Sequence, residues 1–323
     1  MSATVTANGG SPALAPASLV RLACLVVALA VFVLVAGPPA HLGRRLGWRF
    51  APLAPVLFHR LLCAGLGVKV RRRGDPRPSG MRLIVANHVS WLDIPVLGSL
   101  APMGFLAKKE IGGHPLGRRL AELQGVVYVD RERRSCIPAV NSAMVEAMRS
   151  RTPVVLFAEA TTGDGNRLLR FRSSHFEAIR SAAFAEGEAF IQPVFLGYSR
   201  LAGLPILRGE RPRVAWYGDM TFLAHFFRYA RSGGVTCDVC FGPAIPVSAD
   251  MDRKTAARLT ETAVRKLAAH ARASGIFLER QNAYIGATET AYCPTRSRLK
   301  KLPPFSPGAA NPAGRSSNPS GAR

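Results

Sequence analysis

Two side chains able to share a proton lie close together after a strongly apolar run. His88 and Asp93 are five positions apart in the segment Ala-Asn-His-Val-Ser-Trp-Leu-Asp, residues 86–93. A histidine titrates nearest to neutral pH, so its ring can take a proton from an alcohol. A carboxylate on the other ring nitrogen fixes the tautomer and stabilises the imidazolium. The spacing therefore predicts a unit that activates a hydroxyl group. The alternative is structural, because Ser90 and Asp93 match a helix capping box, which would leave His88 as a loop residue.

Two further apolar runs end in polar side chains that suit an anion. One ends in Arg131, whose guanidinium fork matches phosphate geometry. The other is followed by Glu159, Thr161 and Thr162 in a loop rich in hydroxyl groups and glycine, where backbone N–H groups can hold an anion. A solvated charge cluster and an ordinary turn are the structural alternatives. The sequence G-K-[ST] is absent, so the loop is not a P-loop.

The elements that must position these residues follow an alternating pattern. From residue 82 onward, short runs rich in Val, Ile and aromatic residues alternate with longer mixed segments, which predicts an α/β fold. We expect a mixed, mostly parallel sheet flanked by helices, with ligands bound where strands end. The predicted strands are residues 82–86, 103–107, 125–129, 154–158, 191–198, 214–217 and 235–241. A late amphipathic helix is predicted over 252–273, with Asp250 as N-cap and Ala257, Leu259, Val264, Leu267 and Ala268 on its apolar face.

The N-terminal part of the chain predicts a membrane-docking helical segment. Residues 22–36 are apolar, and their uncharged flanks can extend a helix towards the roughly 30 Å of a bilayer core. Arg44 and Arg45 follow, which predicts a cytoplasmic body. Residues 50–70 are apolar but interrupted by prolines and charges, so they favour an interfacial or re-entrant helix, with an ordinary buried helix as the alternative. The predicted domains are a flexible N-terminus (1–18), membrane-docking helices (19–70), an α/β domain (71–275) and an extension with a disordered basic tail (276–323).

Composition narrows the classes of protein. The chain has 323 residues with 43 Lys and Arg against 20 Asp and Glu, and this net charge of +23 favours anionic lipid, phosphorylated substrates or nucleic acid as partners. The sequence contains no nucleic-acid-binding motif. It also lacks the G-x-S-x-G sequence that is typical of a serine hydrolase. Cys237 and Cys240 lie in an alternating apolar run, so they predict a strand in the core rather than a zinc site. A basic membrane-binding protein without catalytic activity remains the alternative of another class.

Four blocks, taken in order, resemble one family. They are Asn87-His88-x-x-x-x-Asp93, Gly125-Val-Val-Tyr-Val-Asp-Arg131, Phe157-Ala-Glu-Ala-Thr-Thr162 and Ile191-Gln-Pro-Val-Phe195. In order and separation they are similar to the lysophosphatidic acid acyltransferases within the glycerolipid acyltransferases. The lead-in that contains Lys108 and the later pair Phe171-Arg172 also resemble family segments.

The resemblance implies transfer of a fatty acyl group from acyl-coenzyme A or acyl carrier protein to the free hydroxyl of 1-acylglycerol 3-phosphate, which gives phosphatidic acid. It implies that His88 is the general base, that Asp93 orients it, and that no acyl-enzyme forms. The glycerol phosphate would be bound by Arg131, Glu159, Thr161 and Thr162, with Lys108 and Arg172 as further candidates. No metal or cofactor is expected. The expected partners are the lysophospholipid acceptor, the acyl thioester donor and an anionic membrane surface, with no nucleic acid. The expected location is the inner membrane, with the catalytic domain on the cytoplasmic side.

The third block departs from the family pattern. Most members read Phe-Pro-Glu-Gly-Thr-Arg, and the residues at the Pro, Gly and Arg positions here are Ala158, Ala160 and Thr162. One arginine that would face a phosphate is therefore missing. Either a nearby arginine replaces it or the acceptor carries no phosphate monoester; the nearby arginines are Arg167, Arg170 and Arg172. The segments 161–165 and 216–220 resemble a bacterial branch that includes lyso-ornithine lipid acyltransferases, which makes lyso-ornithine lipid the alternative acceptor.

Overall fold

A mixed, mostly parallel sheet forms the centre of the fold. The computed structural model describes residues 16–76, 80–108, 127–129, 136–149, 152–248 and 250–282. Within them the strands are β1 (Val68–Arg73), β2 (Met81–Ala86), β3 (Gly104–Lys108), β4 (Val127–Val129), β5 (Val154–Phe157), β6 (Ala189–Leu201), β7 (Leu204–Pro205), β8 (Val235–Phe241) and β9 (Ile245–Val247). Their order is β1-β8-β6-β2-β5-β3-β4, and β7 and β9 pair with β6. The predicted fold class is confirmed.

The parallel part of the sheet brings two strand ends together. Strand β2 pairs in parallel with both β5 and β6, and Ala86 at the end of β2 lies opposite Phe157 at the end of β5. Almost every side chain in these two strands is buried, as expected for parallel strands covered on both faces. The residues that follow β2 and β5 therefore meet at one edge of the sheet.

Helices cover both faces of the sheet. They are α1 (Pro16–Arg45), α2 (Leu53–Leu66), α3 (Asp93–Gly98), α4 (Ile137–Arg149), α5 (Phe176–Glu186), α6 (Phe222–Ala230) and α7 (Arg253–Asn282), with a 3-10 helix at Arg208–Arg213. Successive side chains of a strand point to opposite faces. Leu83 accordingly packs in the core that includes helices α4, α5 and α7, whereas Ile84 packs in the core that includes α2, α3 and α6.

Helices α1 and α2 form an N-terminal hairpin. Phe32 and Phe58 are in ring contact at 6.1 Å, and Gly65 allows Leu25 to approach so closely that a Cβ atom there would lie 2.3 Å from a leucine methyl group. Helix α1 is long and apolar enough, by length and composition, to cross a membrane. Its outward side chains, among them Leu34 at 74% exposure, contact no protein core. Helix α2 buries one face against α3, as the alternative of a buried helix for residues 50–70 expects, and its other face exposes Leu53 and Leu57.

The observed sheet differs from the predicted strands at residues 214–217 and at β1. Residues 214–217 form no strand, because the buried side chain of Val214 ends the 3-10 helix and Trp216 N donates to Val89 O at 2.9 Å instead of to a sheet neighbour. Strand β1 was missed, since its sequence Val-Lys-Val-Arg-Arg-Arg follows directly on the apolar helix α2 and carries little apolar character. Strand β1 begins at Val68, inside the range assigned to membrane docking.

The last helix begins at a different cap from the predicted one. Asp252 accepts hydrogen bonds from Lys254 N at 3.0 Å and Thr255 N at 3.2 Å, so Asp252 rather than Asp250 caps α7. On the predicted apolar face, Leu259 is exposed, and the other members are buried or half-buried. The helix continues to Asn282, and the predicted basic tail lies outside the described residues.

Strand β8 buries the two cysteines of the C-x-x-C sequence. Cys237 and Cys240 pack in the two opposite cores of the sheet, which confirms the prediction of a core strand. In the part of the chain that the structure describes, no group of three His, Cys, Asp or Glu side chains is placed to hold a metal ion.

Candidate active site

The loop after β2 holds His88 against Asp93. Nδ1 of His88 lies 2.8 Å from Oδ2 of Asp93. The loop is fixed to the sheet by Asn87, whose amide nitrogen donates to Leu196 O at 3.0 Å and whose amide oxygen accepts from Leu196 N at 2.8 Å. A proton on Nδ1 that is donated to Asp93 leaves Nε2 of the neutral ring as an acceptor. The ring can therefore work as a base at Nε2.

The Asp93 carboxylate is fully buried and its oxygens are well satisfied. Oδ2 also accepts from Val89 N at 2.6 Å and Ser90 N at 2.9 Å, and Oδ1 accepts from the Tyr198 hydroxyl at 2.7 Å. Asp93 is the first residue of α3, and its bond from Ser90 N is one half of a capping box. The Ser90 hydroxyl has no hydrogen-bond partner among the described atoms, so the other half does not form. Asp93 therefore serves the turn and the histidine at once.

Two aromatic residues complete the setting of the histidine, and sequence analysis assigned a role to neither. The ring of Phe157 stacks on that of His88 with centroids 4.0 Å apart and planes 12° apart. Tyr198 comes from β6, and burial together with the charge of Asp93 raises the pKa of its hydroxyl well above the ordinary value. The hydroxyl is therefore a permanent donor to Asp93. Phe157 and Tyr198 lie in the matched blocks or next to them, but no local signal shows that they face the histidine.

Glu159 ties the catalytic loop to the loop after β5. Its carboxylate accepts from His88 N at 3.2 Å and from Leu169 N at 3.0 Å, and its side chain is buried. Burial raises the pKa of Glu159 to about 7, and the charge of Asp93 adds to this, whereas the two N–H donors and Arg265 oppose it. Both oxygens are occupied by backbone groups, which favours a positioning role for Glu159 over direct contact with substrate.

The backbone at Ala160 is left-handed, so the alanine that departs from the family pattern at this position is strained. Ala160 has φ +61°, a conformation that glycine adopts without strain and that other residues rarely adopt. The family pattern that the third block resembles has glycine at this position. The turn directs Gly163 N to donate to His88 O at 2.8 Å, so this loop also fixes the histidine.

The other residues predicted to bind the acceptor are not brought together by the described structure. Thr161 and Arg172 are exposed, Thr162 is half-buried, and none of the three lines the cavity beside His88. The backbone of Lys108 ends strand β3, and its side chain lies outside the described atoms. Arg131 lies outside the described residues.

A cavity of about 390 Å³ opens beside His88. Leu196, Ile206 and Val214 give it apolar walls, and it can hold part of an acyl chain. Its polar lining contains Arg167, which sequence analysis proposed as a replacement arginine, and two arginines that it missed. These are Arg211 in the 3-10 helix and Arg272 in α7. Both lie outside the matched blocks, so only the folded chain reveals them.

Comparisons with known proteins show which family the chain resembles. A family model described as Acyltransferase matches residues 68–197. A lyso-ornithine lipid O-acyltransferase of Brucella abortus is 35% identical over 252 residues, which are 77% of this chain and 94% of the relative. A protein of the same name from Rhizobium meliloti is 37% identical, over 66% of this chain and 74% of its own length.

More distant matches carry another name. A 1-acyl-sn-glycerol-3-phosphate acyltransferase of Neisseria gonorrhoeae is 35% identical over 36% of this chain and 46% of the relative. The crystal structure of the 1-acyl-sn-glycerophosphate acyltransferase of Thermotoga maritima superposes with a TM-score of 0.54 at 12% identity, over 77% of this chain and 95% of that one. This likeness supports the fold.

Proposed function

This chain belongs to the acyltransferase family, and we propose that it transfers a fatty acyl group from a thioester to the free hydroxyl of lyso-ornithine lipid. The observation that carries the proposal is the contact of 2.8 Å between His88, which lines the cavity, and a buried, fully bonded Asp93 behind it. The relatives named for lyso-ornithine lipid match most of the chain, whereas those named for 1-acylglycerol 3-phosphate match about a third of it. The order of the two acceptors is therefore the reverse of the order that sequence analysis gives.

The proposed mechanism needs the dyad and the two substrates. The acceptor hydroxyl donates its proton to Nε2 of His88 while its oxygen attacks the thioester carbonyl. Asp93 stabilises the imidazolium that forms. The C–S bond then breaks, the new ester remains on the acceptor, and the imidazolium returns its proton to the leaving thiolate. No acyl-enzyme and no metal or cofactor takes part in these proposed reaction steps. The acyl group of the thioester is carried by coenzyme A or acyl carrier protein.

We propose that the hairpin of α1 and α2 docks the enzyme to the cytoplasmic face of the inner membrane. Exposed apolar side chains on α1 supply the contact, and Arg44, Arg45 and Arg49 beside it suit anionic lipid headgroups. A lipid acceptor would then reach the cavity from the bilayer. The partners in this proposal are the lysolipid, the acyl thioester and an anionic membrane surface, with no nucleic acid.

A second acceptor, 1-acylglycerol 3-phosphate, is supported by the relatives of that name and by the arginines that line the cavity. Thr162, at the position where most members carry arginine, supports lyso-ornithine lipid instead. The headgroup of lyso-ornithine lipid contains a carboxylate rather than a phosphate monoester. A site that binds it therefore needs less positive charge.

The test compares both acceptors in mixed micelles with radiolabelled acyl-carrier-protein and acyl-coenzyme A donors. We expect transfer to lyso-ornithine lipid, and a loss of about 100-fold to 10,000-fold in His88→Ala and Asp93→Asn. His270→Ala and Asp219→Asn, at exposed positions that do not line the cavity, are the matched controls. Wild-type rates in the His88 variant would refute the assigned base. Lipid binding without transfer from either donor would favour the membrane-binding protein without catalytic activity.

A further inference from the structure

Arginines surround the part of the cavity that borders the loop after β5. Arg211 donates from Nη1 to Gly165 O at 2.9 Å, and Arg272 donates from Nη2 to Asn166 O at 3.0 Å. Arg167, in the same loop, also lines the cavity. The carbonyl groups of one loop therefore hold two guanidinium groups, from two different helices, at one cavity wall.

Arg211 has hydrogen-bonding capacity that the described atoms do not use. Its Nε is buried and donates to none of them. With Nη1 bound to Gly165, the edge formed by Nε and Nη2 is left, and this edge presents two parallel N–H bonds that fit a carboxylate or a phosphate. Burial and the charge of Arg272 lower the pKa of Arg211 from its ordinary value. A bound anion would satisfy the donors and relieve the repulsion between the arginines.

The acidic side chains that line the cavity do not neutralise these arginines. Asp238 is engaged by Arg71 Nη2 at 2.8 Å and by Arg73 Nε at 3.1 Å. Glu159 binds two backbone N–H groups, and its burial favours the neutral acid. Asp164, in the loop itself, opposes the lowering of the Arg211 pKa, but the three arginines of the lining outnumber it. Among the described residues, the net charge beside the loop is therefore positive.

The arginines lie near the reacting histidine. Gly165 has φ +73°, and a Cβ atom there would lie 3.2 Å from Val89 Cγ1 and 3.8 Å from Arg211 Nη1. The residue that follows His88 and the guanidinium group therefore flank the same glycine. A lysolipid carries its headgroup charge close to its hydroxyl, so it can place an anion on Arg211 while the hydroxyl reaches His88.

We propose that Arg211 and Arg272 bind the carboxylate or phosphate group in the headgroup of the acyl acceptor and replace the arginine that is absent at Thr162. This inference rests on the proposed function. The shared chemistry is a carboxylate or phosphate close to the acceptor hydroxyl, and the phosphates of the thioester donor are the rival source of an anion.

The test measures KM separately for the acceptor and the donor in Arg272→Gln and Arg211→Gln. We expect the acceptor KM to rise about tenfold or more and the donor KM to stay within about twofold. Arg258→Gln on the same helix as Arg272 and Arg213→Gln on the same helix as Arg211 are the controls, and both should match wild type. Methyl esterification of the acceptor carboxylate should raise the acceptor KM of wild type as much as either substitution does. In the variants, the methyl ester should raise the KM no further.

Two outcomes overturn the inference: a rise confined to the donor KM, which assigns the arginines to donor phosphates, and unchanged values for both substrates. If Arg211→Gln fails to fold, Arg272→Gln gives the same test, because its side chain is exposed. If wild type acylates only lysophosphatidate, the proposed acceptor fails, and the same variants compared on lysophosphatidate and neutral monoacylglycerol still test the site. If no lysolipid is acylated, the inference is tested by equilibrium binding. The affinities of wild type and both variants are measured for lyso-ornithine lipid and for its methyl ester. Equal affinities in all of these measurements refute the inference.

Discussion

Glu159 makes the stability of the fold depend on pH in a way that a single substitution removes. The carboxyl is 4% exposed and its pKa is raised to about 7, against an ordinary value of 4.5. Because the folded pKa lies above the unfolded one, folding favours the neutral acid. The stabilisation is complete below about pH 4.5 and is lost as the pH rises through about 7. Glu159→Gln keeps the shape of the side chain and is neutral at every pH.

The magnitude follows from the two pKa values. The gap of about 2.5 corresponds to about 3 kcal/mol, at about 1.4 kcal/mol for each pKa unit, and most of it falls between pH 5 and pH 8. Glutamine supplies one acceptor oxygen in place of two, so either His88 N or Leu169 N loses its partner. That loss costs about 1–3 kcal/mol at all pH values. We therefore expect wild type to be more stable than the variant at pH 5, and this advantage to shrink by about 2–3 kcal/mol, to near zero or below, at pH 8.

The assay is urea unfolding in a mild detergent, followed by tryptophan fluorescence at pH 5, 6, 7 and 8. Glu146→Gln is the matched control, since this carboxylate is exposed and its substitution should produce a difference that does not change with pH. A stability difference between wild type and Glu159→Gln that stays constant within about 0.5 kcal/mol over this range would refute the reasoning, as would a difference that grows with pH.

Three further variants test the structure at other points. Tyr198→Phe removes a donor to a buried carboxylate, so it should lower the free energy of unfolding by about 1.5–3 kcal/mol and reduce kcat with little change in acceptor KM; unchanged kcat and unfolding midpoint would contradict this. Ala160→Gly should stabilise the protein by about 0.5–1 kcal/mol in the same urea assay, because left-handed alanine costs about 1–2 kcal/mol and glycine gives part of this back as chain entropy; a clear loss of stability would show that the turn is not strained. Leu34→Gln with Val35→Gln should lower co-sedimentation with anionic vesicles about tenfold or more, whereas Leu259→Gln, at an exposed apolar site on α7, should not; equal sedimentation of all three proteins would exclude α1 as the docking surface.

Local patterns in the sequence were sufficient for much of the fold. The apolar residues 83–86 of β2 indicated a strand, and the five-residue spacing from His88 to Asp93 indicated that the two side chains are able to meet across a turn. Helix α1 follows from its composition. These features depend on residues that are neighbours along the chain, where backbone geometry and side-chain periodicity leave few alternatives. The same reasoning failed for residues 214–217, where a short apolar run is buried without any sheet partner.

Tertiary structure alone decided what surrounds the dyad. Tyr198 donates to Asp93 across 105 positions of sequence because β6 pairs with β2, and Arg211 reaches the loop after β5 across 46 positions. Sheet order and helix packing create such contacts, and no local pattern encodes them, since a buried tyrosine or a surface arginine has the same appearance in the sequence wherever it packs. The chemistry of a histidine beside a carboxylate could therefore be predicted from the sequence. The shape and charge of the cavity beside the histidine arise only when distant segments fold together.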